Sequence, residues 1–217
     1  MNIRNNINTL QRDIPANVKL VVVSKMQPLQ SLQEAYNAGI RRFGENKVQE
    51  LTIKQPQLPK DIEWHFIGHL QTNKVKFIAP FVNVIHSIDS LKLLVEVDKE
   101  AMRNNRTIDC LLELYIASEE TKYGLDLEEA KSILSSPEFQ SLTNTYIIGV
   151  MGMATYTDNE DQIHQEFKTL KGYFDILKKE FLHTPTFKEI SMGMSGDYKI
   201  AIEEGSTMVR LGTAVFR

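Results

Sequence analysis

The chain has 217 residues, 42% hydrophobic and 24% charged, which suits one globular domain over 1–217 and excludes a disordered or fibrous class. A net charge of −3 excludes the global positive field that would recruit nucleic acid or anionic lipid, so any anion site has to be local. The single cysteine excludes an internal disulfide framework, and the lack of a leader-like segment or of about 18 consecutive apolar residues points to the cytoplasm, away from any membrane.

The first strong signal is Lys19-Leu-Val-Val-Val-Ser24, a β-branched run that reads as a strand buried on both faces. Pro28 and Ser31 then open a helix whose inner face is Leu32, Ala35 and Tyr36 and which Gly39 stops. A second short strand covers 40–43 and ends in Gly44-Glu45-Asn46, after which a helix runs to about Ile53. The alternation continues through strands at 63–67, 82–86, 107–115, 145–150, 187–190 and 208–211, with helical patterns between them. Alternating strands and helices predict a parallel sheet with helices outside, and about eight strands predict an α/β fold closed into a (β/α)8 TIM-like barrel. An open doubly wound sheet is the alternative, but the first strand leads into Ser24-Lys-Met-Gln-Pro28 rather than a GxGxxG turn.

In such a barrel the chemistry sits at the carboxyl ends of the strands. Lys25 closes the first, apolar strand, which would set its amine over the mouth, where desolvation favours the neutral, nucleophilic form that makes Schiff bases. Strand placement alone favours a snorkelling or salt-bridged lysine instead. Gly193 and Gly196, bracketed by Ser191 and Ser195, lead from the seventh strand toward a helix near Asp197-Tyr-Lys-Ile-Ala201, the outline of a phosphate cradle. Leu211-Gly212-Thr213 supplies another glycine and hydroxyl after the eighth strand; for each turn alone an ordinary turn and cap is the favoured reading. Arg210, within the last strand, needs a salt bridge or a polar site to face, and beside a pyridine nitrogen it would keep that nitrogen unprotonated.

His65 and His69 lack the helical HExxH setting of a metal pair, so His65, His86, Ser87 and Asn46 read as polar groups of the rim. Glu45 and Asp89 could form a carboxylate pair, although caps and ion pairs are the commoner use of such positions. Met151, Met153, Met192 and Met194 read as core filling, Trp64 as facing the helical layer, and Cys110 as a buried filler rather than a reactive thiol. The charge-rich stretch 119–129 reads as a solvated loop and helix start.

Taken jointly, these motifs resemble the pyridoxal phosphate homeostasis protein family, whose members look like the barrel domain of alanine racemase standing alone. The likeness runs through Val22-Val-Ser-Lys25, Phe43-Gly-Glu-Asn46, Trp64-His-Phe-Ile-Gly68, Leu70-Gln-Thr-Asn-Lys74 and His86-Ser-Ile-Asp89. It continues in Gly152-Met-Ala154, Ser191-Met-Gly-Met-Ser195 and Gly205-Ser-Thr-Met-Val-Arg-Leu-Gly-Thr213. The resemblance implies a barrel of the alanine racemase N-terminal type with pyridoxal 5′-phosphate as cofactor, held as a Schiff base on Lys25. It implies that Ser195, Gly212 and Thr213 hold the phosphate, that Arg210 lies against the pyridine nitrogen, and that Asn46, Ser87 and the turn Ser191, Met192, Gly193, Met194 line the pocket. Tyr115 and Ala117 depart from the pattern, standing where relatives carry a polar, Asn-containing strand end.

The function so implied is binding and buffering of pyridoxal 5′-phosphate, with apo-enzymes as recipients, a monomer as the expected state, and no robust turnover. A racemase is the alternative; it needs a base on each cofactor face, and no second domain follows Arg217 to supply one. A cofactor-free Schiff-base aldolase using Lys25 is the third reading, and it predicts a colourless protein.

Overall fold

The computed structural model describes residues 2–118 and 123–217. It opens on a helix that the pattern above did not single out, α1 (Ile3–Asp13), whose Ile3, Ile7 and Leu10 make one apolar stripe and whose first turn is capped by the Asn2 side chain. Strand and helix then alternate: β1 (Lys19–Val23), α2 (Leu29–Asn37), β2 (Arg42–Glu45), α3 (Val48–Lys54), β3 (Glu63–Phe66), α4 (Val75–Ile78), β4 (Val84–Ile88) and α5 (Leu91–Arg103). The second half follows with β5 (Ile108–Glu113), α6 (Leu127–Ser135), α7 (Pro137–Gln140), β6 (Thr145–Met151), α8 (Glu160–Glu180), β7 (Glu189–Ser191), α9 (Tyr198–Glu203), β8 (Met208–Leu211) and α10 (Thr213–Phe216).

All eight strands are parallel and ordered as in the chain, and β8 closes the barrel on β1 with Lys19 opposite Met208 and Val22 opposite Leu211. The closed barrel is therefore the observed fold, and the open sheet is excluded. Outward residues such as Val22, Phe43, Trp64 and Ile85 pack with the helices in one core, which also takes in Met192 and Cys110. The barrel interior holds a small separate cluster of Val84, Leu111 and Met151 with Met153 against it. At the amino end of the strands the interior is charged: Lys19 pairs with Glu189 at 2.8 Å and Arg42 with Glu63 at 3.1 Å.

Strands two, four and seven begin two residues later than the apolar pattern suggests, for a common reason. Ile40 donates to Ala35 O in the closure of α2 around Gly39, Val82 donates to Ile78 O at the end of α4, and Phe187 donates to Thr184 O in a turn. Each is an apolar residue spent on a cap or turn, which hydropathy cannot distinguish from the first residue of a strand. Of the charge-rich stretch, 119–122 lie outside the described residues, whereas Asp126 and Glu129 form a capping box that starts α6. Among the described residues no helix is long and apolar enough to cross a membrane.

Candidate functional site

Three neighbouring strands, β7, β8 and β1, bring the glycine turns, Arg210 and Lys25 onto one arc of the carboxyl mouth. Gly193 has φ +97°, and a Cβ there would lie 2.6 Å from the Ala201 Cβ, so the turn after β7 requires glycine. Its carbonyl accepts from Arg210 N at 3.0 Å, and Ser195 Oγ accepts from Ala214 N at 3.2 Å, knitting the two loops together. Gly212 lies so close to β1 that a Cβ would meet the Val23 carbonyl at 3.0 Å. The N–H groups of Ser195, Gly196 and Thr213 donate to no other described residue, while Met194 N–H is taken by Asp197 Oδ1 at 2.5 Å. Free amides and two hydroxyls on adjoining loops are the donor set of an anion cradle.

Lys25 stands two residues beyond β1, between buried Ser24 and Met26, whose φ is +60°. Its place after an apolar strand predicts a desolvated amine; instead Lys25 is exposed and makes no hydrogen bond or ion pair with a described residue. The strand ends at Val23, and the left-handed turn at Met26 lifts the lysine clear of the interior.

Arg210 is buried, and among the described residues no carboxylate pairs with it. Its guanidinium donates to Ser191 O and Oγ, each at 2.7 Å, and to Gly152 O at 3.1 Å. Of the five guanidinium donors, three are thereby engaged. Burial brings its pKa down to about 10, so it stays charged at neutral pH. Below it a chain of buried side chains descends the barrel: Ser191 Oγ to His86 Nδ1 at 3.0 Å, His86 Nε2 to His65 Nδ1 at 2.8 Å, and His65 Nε2 to Glu63 Oε1 at 3.1 Å. A carboxylate can only accept, and burial lowers the pKa of both imidazoles and so favours their neutral forms, which together set the proton order. The Ser191 hydroxyl donates to His86, His86 Nε2–H to His65, and His65 Nε2–H to Glu63. The two histidines are thus interior groups rather than the rim groups expected, because their strand positions point inward between outward-facing Trp64, Phe66 and Ile85.

On the opposite arc, Asn46 borders a cleft of about 180 Å³ with Lys47, His69, Gln71 and Lys74. Ser87, within the irregular stretch of β4 between Ile85 and Ile88, is buried with its hydroxyl unpartnered among the described residues. Glu45 and Asp89 do not pair: Glu45 takes Lys54 at 2.8 Å, and Asp89 takes His69 at 3.1 Å. Glu45 faces the helical layer, where the cation of α3 reaches it first. Glu113, which the sequence reading passed over, ends β5, is 4% exposed, and leaves Oε2 unpartnered. Burial, and after it the charge of Asp89, raises its pKa to about 7, against the pull of Arg210. Its signal was the alternation Asp109, Leu111, Glu113, which puts a carboxylate in the inward register of an apolar strand. Among the described residues no cluster of side chains could hold a metal ion.

The family described as alanine racemase, N-terminal domain, matches residues 1–217. The chain is 40% identical over 199 residues to the pyridoxal phosphate homeostasis protein of Aquifex aeolicus, covering 91% of this chain and 86% of that one. It is 37% identical over 205 residues to the protein of the same name in Synechocystis, covering 94% and 92%. PipY of Synechococcus elongatus, solved with PLP bound, superposes with a TM-score of 0.91 at 32% identity, covering 99% of this chain and 100% of that one.

Proposed function

The chain belongs to the alanine racemase N-terminal domain family, among the pyridoxal phosphate homeostasis proteins, and from that premise we propose that it binds pyridoxal 5′-phosphate at the carboxyl mouth and serves the balance of that cofactor. The observation that carries this reading is the arc from β7 through β8 to β1, which joins an anion cradle, a buried guanidinium with donors to spare, and an exposed lysine.

The residues fit the cofactor. Ser195, Gly212 and Thr213 would hold the phosphate, and Arg210 would donate to the pyridine nitrogen. Asn46, Ser87, Ser191, Gly193, Met192 and Met194 would surround the ring, the peptide of Met192 serving because its side chain is in the main core. Lys25 would carry the cofactor covalently, as a Schiff base on the aldehyde carbon, with the aldehyde oxygen released as water. When bound, the cofactor supplies an electron sink, and Arg210 weakens that sink, since guanidinium does not surrender a proton to the ring. This favours storage and delivery over racemase chemistry. We place the protein in the cytoplasm as a monomer, handing its cofactor to apo-enzymes.

The purified protein should absorb near ~420 nm and, after borohydride, carry the cofactor on Lys25. A colourless protein, or a Lys25→Ala variant that binds the cofactor as tightly as wild type, would sink the reading. For delivery, an apo-enzyme should regain activity faster from the loaded protein than from a loaded Lys25→Ala variant at equal cofactor.

A further inference from the structure

Lys25 makes no hydrogen bond or ion pair with a described residue, yet both peptide groups beside it are held. The Ser24 carbonyl accepts from Lys54 Nζ at 2.7 Å, and Met26 N–H donates to Glu50 Oε1 at 2.6 Å. Lys54 Nζ also lies 2.8 Å from Glu45 Oε1 and 2.6 Å from Glu50 Oε1, so its three N–H bonds all end on acceptors. Glu45 Oε1 accepts in turn from Ser24 Oγ at 2.6 Å. The side chains of Lys54 and Glu45 are 7% and 0% exposed. Lys54 shares the buried face of α3 with Val48 and Leu51, where an apolar residue would be the ordinary choice. A buried ion pair adds little stability over apolar side chains of like volume, so its retention calls for another use. That use is at hand, because Met26 is a left-handed, non-glycine residue that is 85% exposed and has little packing to keep it so.

We propose that Lys54, with Glu45 and Glu50, is a positioning residue for Lys25: the buried triad clamps the two peptide groups flanking Lys25 and so presents its amine to an aldehyde held by the β7 and β8 loops. The inference rests on the reading of Lys25 as the Schiff-base lysine.

The test uses the full chain freed of cofactor and two ligands. Pyridoxal 5′-phosphate can condense with Lys25; pyridoxine 5′-phosphate has the same ring and phosphate but a hydroxymethyl in place of the aldehyde, and reports the pocket alone. In Lys54→Met and Glu50→Ala the rate at which the absorbance near ~420 nm appears should fall about tenfold or more, the effect of a small misplacement of a reacting group. Affinity for pyridoxine 5′-phosphate should be unchanged. Glu50→Gln, whose amide oxygen still accepts from Met26 N–H, should react close to wild type. Equal losses for both ligands would show a merely structural role, and an unchanged rate in both variants would overturn the proposal outright. Should Lys54→Met fail to fold, the Glu50→Ala and Glu50→Gln pair decides, since Glu50 is the more exposed member of the triad. Failure of the underlying reading is told apart by Lys25→Ala, in which the triad is intact: undiminished binding of pyridoxal 5′-phosphate there would remove Lys25 itself from the chemistry.

Discussion

Replacing Glu113 by glutamine should stabilise the cofactor-free protein, by an amount that grows as pH rises from about 4.5 to about 7. The carboxyl is 4% exposed with one oxygen unpartnered, and its pKa stands at about 7 against an ordinary 4.5, chiefly because burial penalises the charge. The folded state therefore retains a proton that the unfolded chain gives up between those two values, so stability falls as pH rises through that window and levels off above it. A rise from 4.5 to about 7 corresponds to roughly 3 kcal/mol at most. Glutamine keeps the shape and cannot ionise. Urea unfolding of both proteins at a series of pH values should give similar stabilities near pH ~4 and a gap of about 1–3 kcal/mol in favour of Glu113→Gln near pH ~8. A gap independent of pH, or one largest in acid, would refute the assignment of a buried, proton-retaining carboxyl to Glu113.

Removing the hydroxyl in Ser191→Ala takes an acceptor from Arg210 and the donor from His86 Nδ1, and should cost about 1–3 kcal/mol in urea unfolding. Gly193→Ala must place a Cβ 2.6 Å from that of Ala201 at φ +97°, and should lose at least about 1 kcal/mol along with affinity for pyridoxine 5′-phosphate. Cys110 is fully buried with its thiol pKa pushed up by burial, so an aromatic disulfide reagent should leave the native protein unlabelled and react once urea unfolds it. Prompt labelling of the native protein would contradict its placement.

The barrel was legible because parallel strands buried on both faces leave continuous runs such as Leu20-Val-Val-Val23, and because glycine, serine and threonine gather where those runs end. Lys25, Arg210 and the two glycine turns were found on that basis, and the closed order of strands sets them side by side. Pairing between side chains was not legible. Glu45 and Asp89 both sit at strand ends, but one turns out toward Lys54 and the other toward His69, a difference set by register parity and by the bulge in β4. The histidine chain was hidden for the same reason, since His65 and His86 meet only because β3 and β4 are adjacent and both residues point inward. Lys54 did leave a trace, as a lysine in phase with Val48 and Leu51, whose meaning depended on what lay beneath the helix.

A chain of net charge −3 can attract an anionic aldehyde only if charges at the mouth are sorted locally. The structure does this by engaging carboxylates elsewhere: Glu45 with Lys54 in the helical layer, and Glu63 with Arg42 at the far end of the barrel. Arg210 touches two carbonyls and a hydroxyl, none of which cancels its charge, and Lys25 has no ion pair with a described residue. Of the acidic groups that Arg210 feels, Asp197 bonds Met194 N–H at the edge of the cradle, and Glu113 is half protonated at about pH 7. The positive field for a phosphate must then weaken as Glu113 ionises. Affinity for pyridoxine 5′-phosphate should fall between about pH 6 and pH 8 more in wild type than in Glu113→Gln. Titration of the ligand itself is common to both proteins, so equal pH profiles would show that Glu113 takes no part in the field.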